Sequence, residues 1–223
     1  EKKEAKPLPQ YIAALRKIFQ KDGRWLTSFF LVGSAGLFIL FGVLFYLSDV
    51  LEDRFKIDGV LKGSILAIPL LGMVTASYIT GSKIKQNKTL IRKVMYVGLF
   101  LVTLSTGLVT FLKGLSIMIA LLTITGVGIG LLLPCLNTLI TGAVEKSERG
   151  MITSLYGSVR FLGVAFGPPI FGWLMGISHQ VLFLSVSGIS LLILILSVWL
   201  IRPGKREQGT AGGSLFTKWE PAS

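Results

Sequence analysis

Six long apolar runs limit what this chain of 223 residues can fold into. A helix needs about 20 mostly apolar residues to cross a bilayer. We predict six spans that meet this length, over residues 25–48, 63–80, 94–112, 115–142, 150–175 and 181–201. Backbone groups inside lipid find no water, so each span must pair its own N–H and C=O groups as a helix. The sequence therefore predicts an all-α, polytopic membrane protein, in agreement with 52% hydrophobic residues and only 15% charged ones.

Basic residues are unevenly distributed between the two sides of these spans. The chain has 23 Lys and Arg against 11 Asp and Glu, a formal net charge of +12. Eighteen of the 23 fall in residues 1–24, 81–93, 143–149 and 202–223, and only four fall in the opposite connections. The positive-inside rule then places both termini in the cytoplasm. Because the bases lie in short segments between apolar runs, we interpret the charge as membrane topology beside lipid, and we expect no nucleic-acid partner.

The segments outside the spans suggest three regions. We predict a cytoplasmic segment with an interfacial helix over 1–24, a six-helix bundle over 25–202, and a disordered cytoplasmic tail over 203–223. A single cysteine and a single histidine exclude an intramolecular disulfide and a zinc site, so no metal or cofactor is expected. The chain starts at Glu1 with no signal peptide before the first span, and we expect it to be part of a longer protein.

Glycines and prolines are concentrated in the predicted fourth and fifth spans. Small residues allow neighbouring helices to approach closely, and a proline allows the backbone to bend. The candidate packing residues are Gly126, Gly130, Pro134, Gly163, Gly167, Pro168, Pro169 and Gly172. Pro69 in the second span and the proline pair in the fifth occupy corresponding places in the two sets of three. This spacing is expected of two three-helix repeats with inverted topology.

These features resemble the C-terminal half, spans seven to twelve, of a twelve-helix permease of the major facilitator superfamily. Gly163-x-x-x-Gly167-Pro168-Pro169-x-x-Gly172 is similar to the GxxxGP motif of drug and proton antiporters. Residues 131–140, with Glu148-Arg149-Gly150, resemble the junction between spans ten and eleven of that group. The resemblance implies one six-helix half of a proton-coupled secondary transporter, an exporter of small amphipathic or drug-like molecules in a bacterial plasma membrane. Its partners would be the N-terminal half, protons and the substrate.

A basic cytoplasmic loop occupies the place of the loop motif of that family. Its residues are Gly81, Lys83, Lys85, Lys88 and Arg92. The family motif has an acid where Lys85 stands and a second glycine where Lys88 stands. We therefore expect the basic character of the loop to be retained, without a charge relay.

No carboxylate lies deep in a predicted span, although proton-coupled transport normally uses a buried ionisable group. We therefore expect the coupling acid to lie outside this chain. The one charge inside a span is Arg160, which could gate the transporter or contact substrate or the coupling machinery, or could reach towards the cytoplasmic face and Glu148. Gating or coupling is the role we assign to it.

Two features suggest a substrate cavity. Phe38, Phe41 and Phe45 share one helical face, where they could stack against amphipathic molecules or face lipid. Asn137 carries an amide in the middle of an apolar run, so it needs a partner across a helix contact or in a wet cavity.

Three other functions are compatible with six spans. A rhomboid-type protease needs a serine flanked by glycines and a histidine within reach, but Ser34 is out of register and His179 lies in a short external loop. We therefore expect no enzyme. A small six-helix protein acting as a homodimer, and an importer of a small organic solute, both remain open.

Overall fold

The chain forms an all-helical bundle. The computed structural model describes residues 8–84, 87–112, 114–144 and 148–200, with the backbone alone for 8–25, 88, 143 and 200. In these ranges there are six helices and no strand. They are α1 (Leu8–Asp53), α2 (Gly59–Lys83), α3 (Lys88–Val109), α4 (Leu115–Ala143), α5 (Arg149–Ile177) and α6 (His179–Leu200). All six are long and apolar enough to cross a membrane, which confirms the predicted fold class.

The helix boundaries refine the predicted spans. The helix α1 continues without a break from Leu8 to Asp53, so the helix expected before the first span and the span itself form one element. Whether its first turns lie in the membrane interface stays a prediction. Residues 1–7 and the tail predicted to be disordered, 203–223, lie outside the described residues.

Two helix starts depend on local backbone chemistry. Asn87 caps α3, because its side-chain oxygen accepts hydrogen bonds from the N–H groups of Thr89 and Leu90, each 3.2 Å long. Gly114 precedes α4 with φ +126°, a conformation that side chains with a Cβ rarely adopt. The connections on either side of these starts are short, since α3 begins at Lys88 after α2 ends at Lys83, and α4 begins at Leu115 after α3 ends at Val109.

The helices pack in a pattern that relates the first three to the last three. The helix α1 packs along α5, and α2 packs along α4. If the first three helices are matched in order with the last three, α1 corresponds to α4 and α2 corresponds to α5. The contact between α1 and α5 then corresponds to the contact between α4 and α2. The helix α3 packs between α4 and α6. The two main contacts thus have the relation expected of inverted three-helix repeats.

Two apolar clusters form the core, one at each end of the bundle. The first contains the start of the membrane-spanning part of α1 together with the end of α4, and is centred on Leu26, Met95 and Tyr156. The second contains the other end of α1 with the start of α4 and is centred on Leu47, Leu122 and Phe171. The helices α2 and α5 are the least buried of the six spans. Most of their surface is therefore free to meet lipid or other protein.

Candidate functional site

The glycine motif of α5 lies directly against the backbone of α1. A Cβ built on Gly163 would collide with the carbonyl oxygen of Ser34. A Cβ on Gly167 would lie only 2.8 Å from the carbonyl oxygen of Phe38 and 3.1 Å from the N of Gly42. Glycine is therefore needed at both positions to keep α1 and α5 at this separation.

The contact between α2 and α4 is built in the same way. A Cβ on Gly126 would collide with the carbonyl oxygen of Pro69, and one on Gly130 would meet Met73 and lie 3.0 Å from the Cβ of Ala76. Prolines lie inside α2, α4 and α5, at Pro69, Pro134, Pro168 and Pro169. Each of the two main helix contacts thus depends on glycines on one helix facing the backbone of its neighbour.

The predicted aromatic surface lies beside the contact between α1 and α5. We call Phe38, Phe41 and Phe45 the aromatic face. Phe41 and Phe45 are 37% and 39% exposed, whereas Phe38 is half-buried with its ring edge-on to Phe171 at 5.6 Å. Gly172 lies against this face, since a Cβ there would be 3.4 Å from the ring of Phe45. Two rings of the face are thus open to a molecule from outside the chain.

Asn137 is exposed near the end of α4. It is therefore not buried between helices of this chain. Its carbonyl oxygen accepts a hydrogen bond of 2.7 Å from Thr141, and the carbonyl oxygen of Pro134 accepts one of 2.9 Å from Thr138. These side chains give the end of α4 a partly polar surface.

Arg160 lies in the first half of α5 and packs on an aromatic ring of its own helix. Its guanidinium carbon is 5.3 Å from the ring centre of Tyr156, one turn earlier, and its Nε is buried without a hydrogen-bond partner. Tyr156 is only 2% exposed and packs against Gly33 and, at 5.4 Å between ring centres, Phe30. Among the described residues no ion pair joins Arg160 to Glu148. The guanidinium therefore has a ring contact but no counter-charge in this part of the chain.

The predicted basic loop is mostly helical. Gly81 and Lys83 are exposed in the last turn of α2, and Arg92 is half-buried in the second turn of α3. Lys85 and the side chain of Lys88 lie outside the described residues. Of the predicted basic residues, the structure thus describes the side chains of Lys83 and Arg92, at the end of α2 and near the start of α3.

A polar cleft at the other end of the bundle was not predicted. Its volume is about 270 Å³, and it is lined by Phe45, Asp49, Gly172, Met175, Gly176 and His179. The guanidinium of Arg54 donates a hydrogen bond to Nε2 of His179, and Tyr46 packs edge-on to the same imidazole at 5.6 Å. No sequence signal joins these residues, because α1 and α6 are far apart along the chain.

A buried hydroxyl pair between α3 and α4 was also missed. Ser105 and Thr125 are 1% and 0% exposed, and their hydroxyl oxygens are 2.8 Å apart. Each hydroxyl oxygen also lies within hydrogen-bond distance of a carbonyl one turn earlier in its own helix, at Leu101 and Leu121, so one hydroxyl can donate across the pair while the other donates to its own helix. Small hydroxyl residues inside apolar runs are the only signal that could have indicated this pair.

Comparisons with known proteins identify the family. The family model described as Major Facilitator Superfamily matches residues 89–221. This chain belongs to the Major Facilitator Superfamily. The predicted resemblance is thereby confirmed, and so is the expectation that the chain belongs to a family of multi-pass membrane transporters and not to a family of enzymes.

Two curated relatives come from Bacillus subtilis (strain 168). The "Bacillibactin exporter" is 40% identical over 208 residues, which are 93% of this chain and 52% of the relative. The "Putative niacin/nicotinamide transporter NiaP" is 27% identical over 155 residues, 64% of this chain and 38% of the relative. The chain thus spans about half the length, or less, of these superfamily members. The cytoplasmic location of both termini stays a prediction.

Proposed function

We propose that this bundle is the C-terminal half of a secondary transporter that exports small amphipathic molecules in exchange for protons. The observation that carries the proposal is the likeness to a named exporter along 93% of the chain. Bacillibactin is the first substrate to test. Proton coupling is proposed because a secondary transporter needs a driving ion. The coupling acid would then belong to the other half of the transporter, since the described spans carry no carboxylate more than five residues from a span end.

The packing of the helices supports alternating access. The least buried helices, α2 and α5, occupy corresponding positions in the two repeats and leave large surfaces for a second six-helix half. Phe41 and Phe45 of the aromatic face are exposed on α1 and Asn137 is exposed on α4, the helices onto which α5 and α2 pack. Rocking of this bundle against a partner half would expose these side chains to one side of the membrane at a time.

A transport assay with the native polypeptide tests the proposal. Proteoliposomes with an acidic lumen should accumulate bacillibactin as protons leave, and a protonophore should abolish the accumulation. Uptake that instead requires acid outside the vesicles would support the importer alternative. No transport under either gradient would refute the proposal.

Asn137→Ala tests the proposed substrate cavity in the same assay. Loss of one neutral hydrogen bond should raise KM about 2- to 10-fold. Gln180→Ala is the matched control, because it removes an exposed amide near the start of α6, at the opposite end of the bundle from Asn137. Equal effects of the two variants would exclude Asn137 from substrate binding.

A further inference from the structure

Arg160 is an isolated charge in the described membrane-spanning helices. Every other Asp, Glu, Lys or Arg of these spans lies within five residues of a span end. Arg160 lies eleven residues after Arg149, which is about 16 Å along α5 at 1.5 Å per residue. Charge at such a depth is costly and is retained mainly where it has a function.

The described part of the chain offers this charge no acid. Glu148 is twelve residues away, about 18 Å along the helix axis. The ring of Tyr156 compensates the guanidinium only in part, and the Nε hydrogen has no acceptor. A ligand with an anionic group would supply the counter-charge that the described part of the chain does not provide.

The aromatic face lies on the same helix contact. Tyr156 packs against Gly33 of α1, and Phe41 follows Gly33 by eight residues, or about 12 Å. A molecule that touched both would present an anionic group to the guanidinium and an aromatic or apolar part to the rings. An amphipathic anion of at least this length is the kind of molecule that would reach both.

We propose that Arg160 selects the substrate, by binding a carboxylate or similar anionic group while the apolar part of the same molecule rests on the aromatic face. This inference rests on the proposed export function and adds the charge class of the substrate. The competing occupant of the site is a carboxylate from elsewhere in the native polypeptide.

Equilibrium binding of two matched probes tests the inference. The probes are 4-(1-pyrenyl)butanoate, which is ionised at pH 7, and the neutral 4-(1-pyrenyl)butanamide. Energy transfer from tryptophan to pyrene in the purified native polypeptide reports their binding. The wild type should bind the acid more tightly than the amide. Arg160→Gln should weaken binding of the acid about 10-fold or more and leave binding of the amide within about twofold, because a hydrogen bond to a charged group is lost.

Three further variants separate this role from a structural one. Arg160→Lys keeps the charge and should restore part of the preference for the acid. Phe41→Ala should weaken binding of the acid and of the amide equally, since it removes only an apolar contact that both probes share. Arg149→Gln is the matched control, because it removes an equal charge from the exposed start of the same helix. It should change the affinity for neither the acid nor the amide.

Equal binding of acid and amide to the wild type would overturn the inference, as would weak binding of both. If Arg160→Gln weakened binding of the acid and of the amide equally, the inference would also be overturned, and a carboxylate of the native polypeptide would be the favoured partner of Arg160. None of these results would affect the transport assay with bacillibactin, whose failure would overturn the proposed function itself.

Discussion

Gly167→Ala tests the close contact between α1 and α5. The new methyl group would lie 2.8 Å from one backbone atom of α1 and 3.1 Å from another, whereas ordinary contacts begin near 3.4 Å. The overlap of about 0.6 Å cannot be relieved by rotating a side chain, because both atoms belong to the backbone. Overpacking of this kind costs about 1–3 kcal/mol. The better helix propensity of alanine offsets about 0.5–1 kcal/mol of this cost.

Thermal unfolding of the purified protein in detergent measures the effect. A loss of 1–2 kcal/mol should lower Tm by about 2–8 °C for a chain of this size. Gly157→Ala is the matched control, since Gly157 lies on the same helix and a Cβ there would have no atom within 4 Å. Its Tm should be unchanged or slightly raised. If Gly167→Ala melts at or above the temperature of Gly157→Ala, the described contact between α1 and α5 is wrong.

Three further predictions concern side chains. Thr125→Val, combined with Ser105→Ala in a double-mutant cycle, should give a coupling energy of about 0.6 kcal/mol from unfolding measurements, and additive effects would contradict the buried hydroxyl pair. Lys62→Gln should lower the free energy of unfolding by less than about 1 kcal/mol, because the 2.6 Å ion pair of Lys62 with Glu52 is partly exposed. The difference from wild type should vanish in high salt, and a large difference that salt does not change would contradict a surface ion pair. Phe41→Ala should raise the KM for export and leave Tm nearly unchanged, whereas a large fall in Tm would show that the ring is structural.

The sequence predicts the fold well because the bilayer leaves few choices. Runs of about 20 apolar residues that must pair their own backbone groups can only be helices, so six apolar runs imply six helices. The boundaries were less accurate: α3 ends at Val109, three residues before its predicted end at residue 112. Thr110 and Phe111 are apolar enough to continue a span, and hydropathy does not register a turn ahead of Gly114.

The candidate site could be predicted only in part. Gly163 and Gly167 are separated by one helical turn, so the sequence shows that they face one neighbour but not that this neighbour is α1. The same limit applies to Arg160, whose depth could be counted along α5 but whose stacking on Tyr156 depends on a side-chain rotamer. The cleft beside His179 could not be predicted at all, because it needs the ends of α1, α5 and α6 to meet.

Accessibility of two engineered cysteines tests the central claim, that this bundle alternates between two open states, most directly. Asn137→Cys and Phe45→Cys would each be introduced singly, with the buried Cys135 replaced by alanine and any other cysteine of the native polypeptide removed. Labelling with a membrane-impermeant maleimide is then measured from each side, with and without bacillibactin and a pH gradient. The account predicts opposite responses, in which labelling at one position rises as labelling at the other falls. If labelling at both positions stayed the same whatever the substrate or the pH gradient, alternation between two open states would be contradicted.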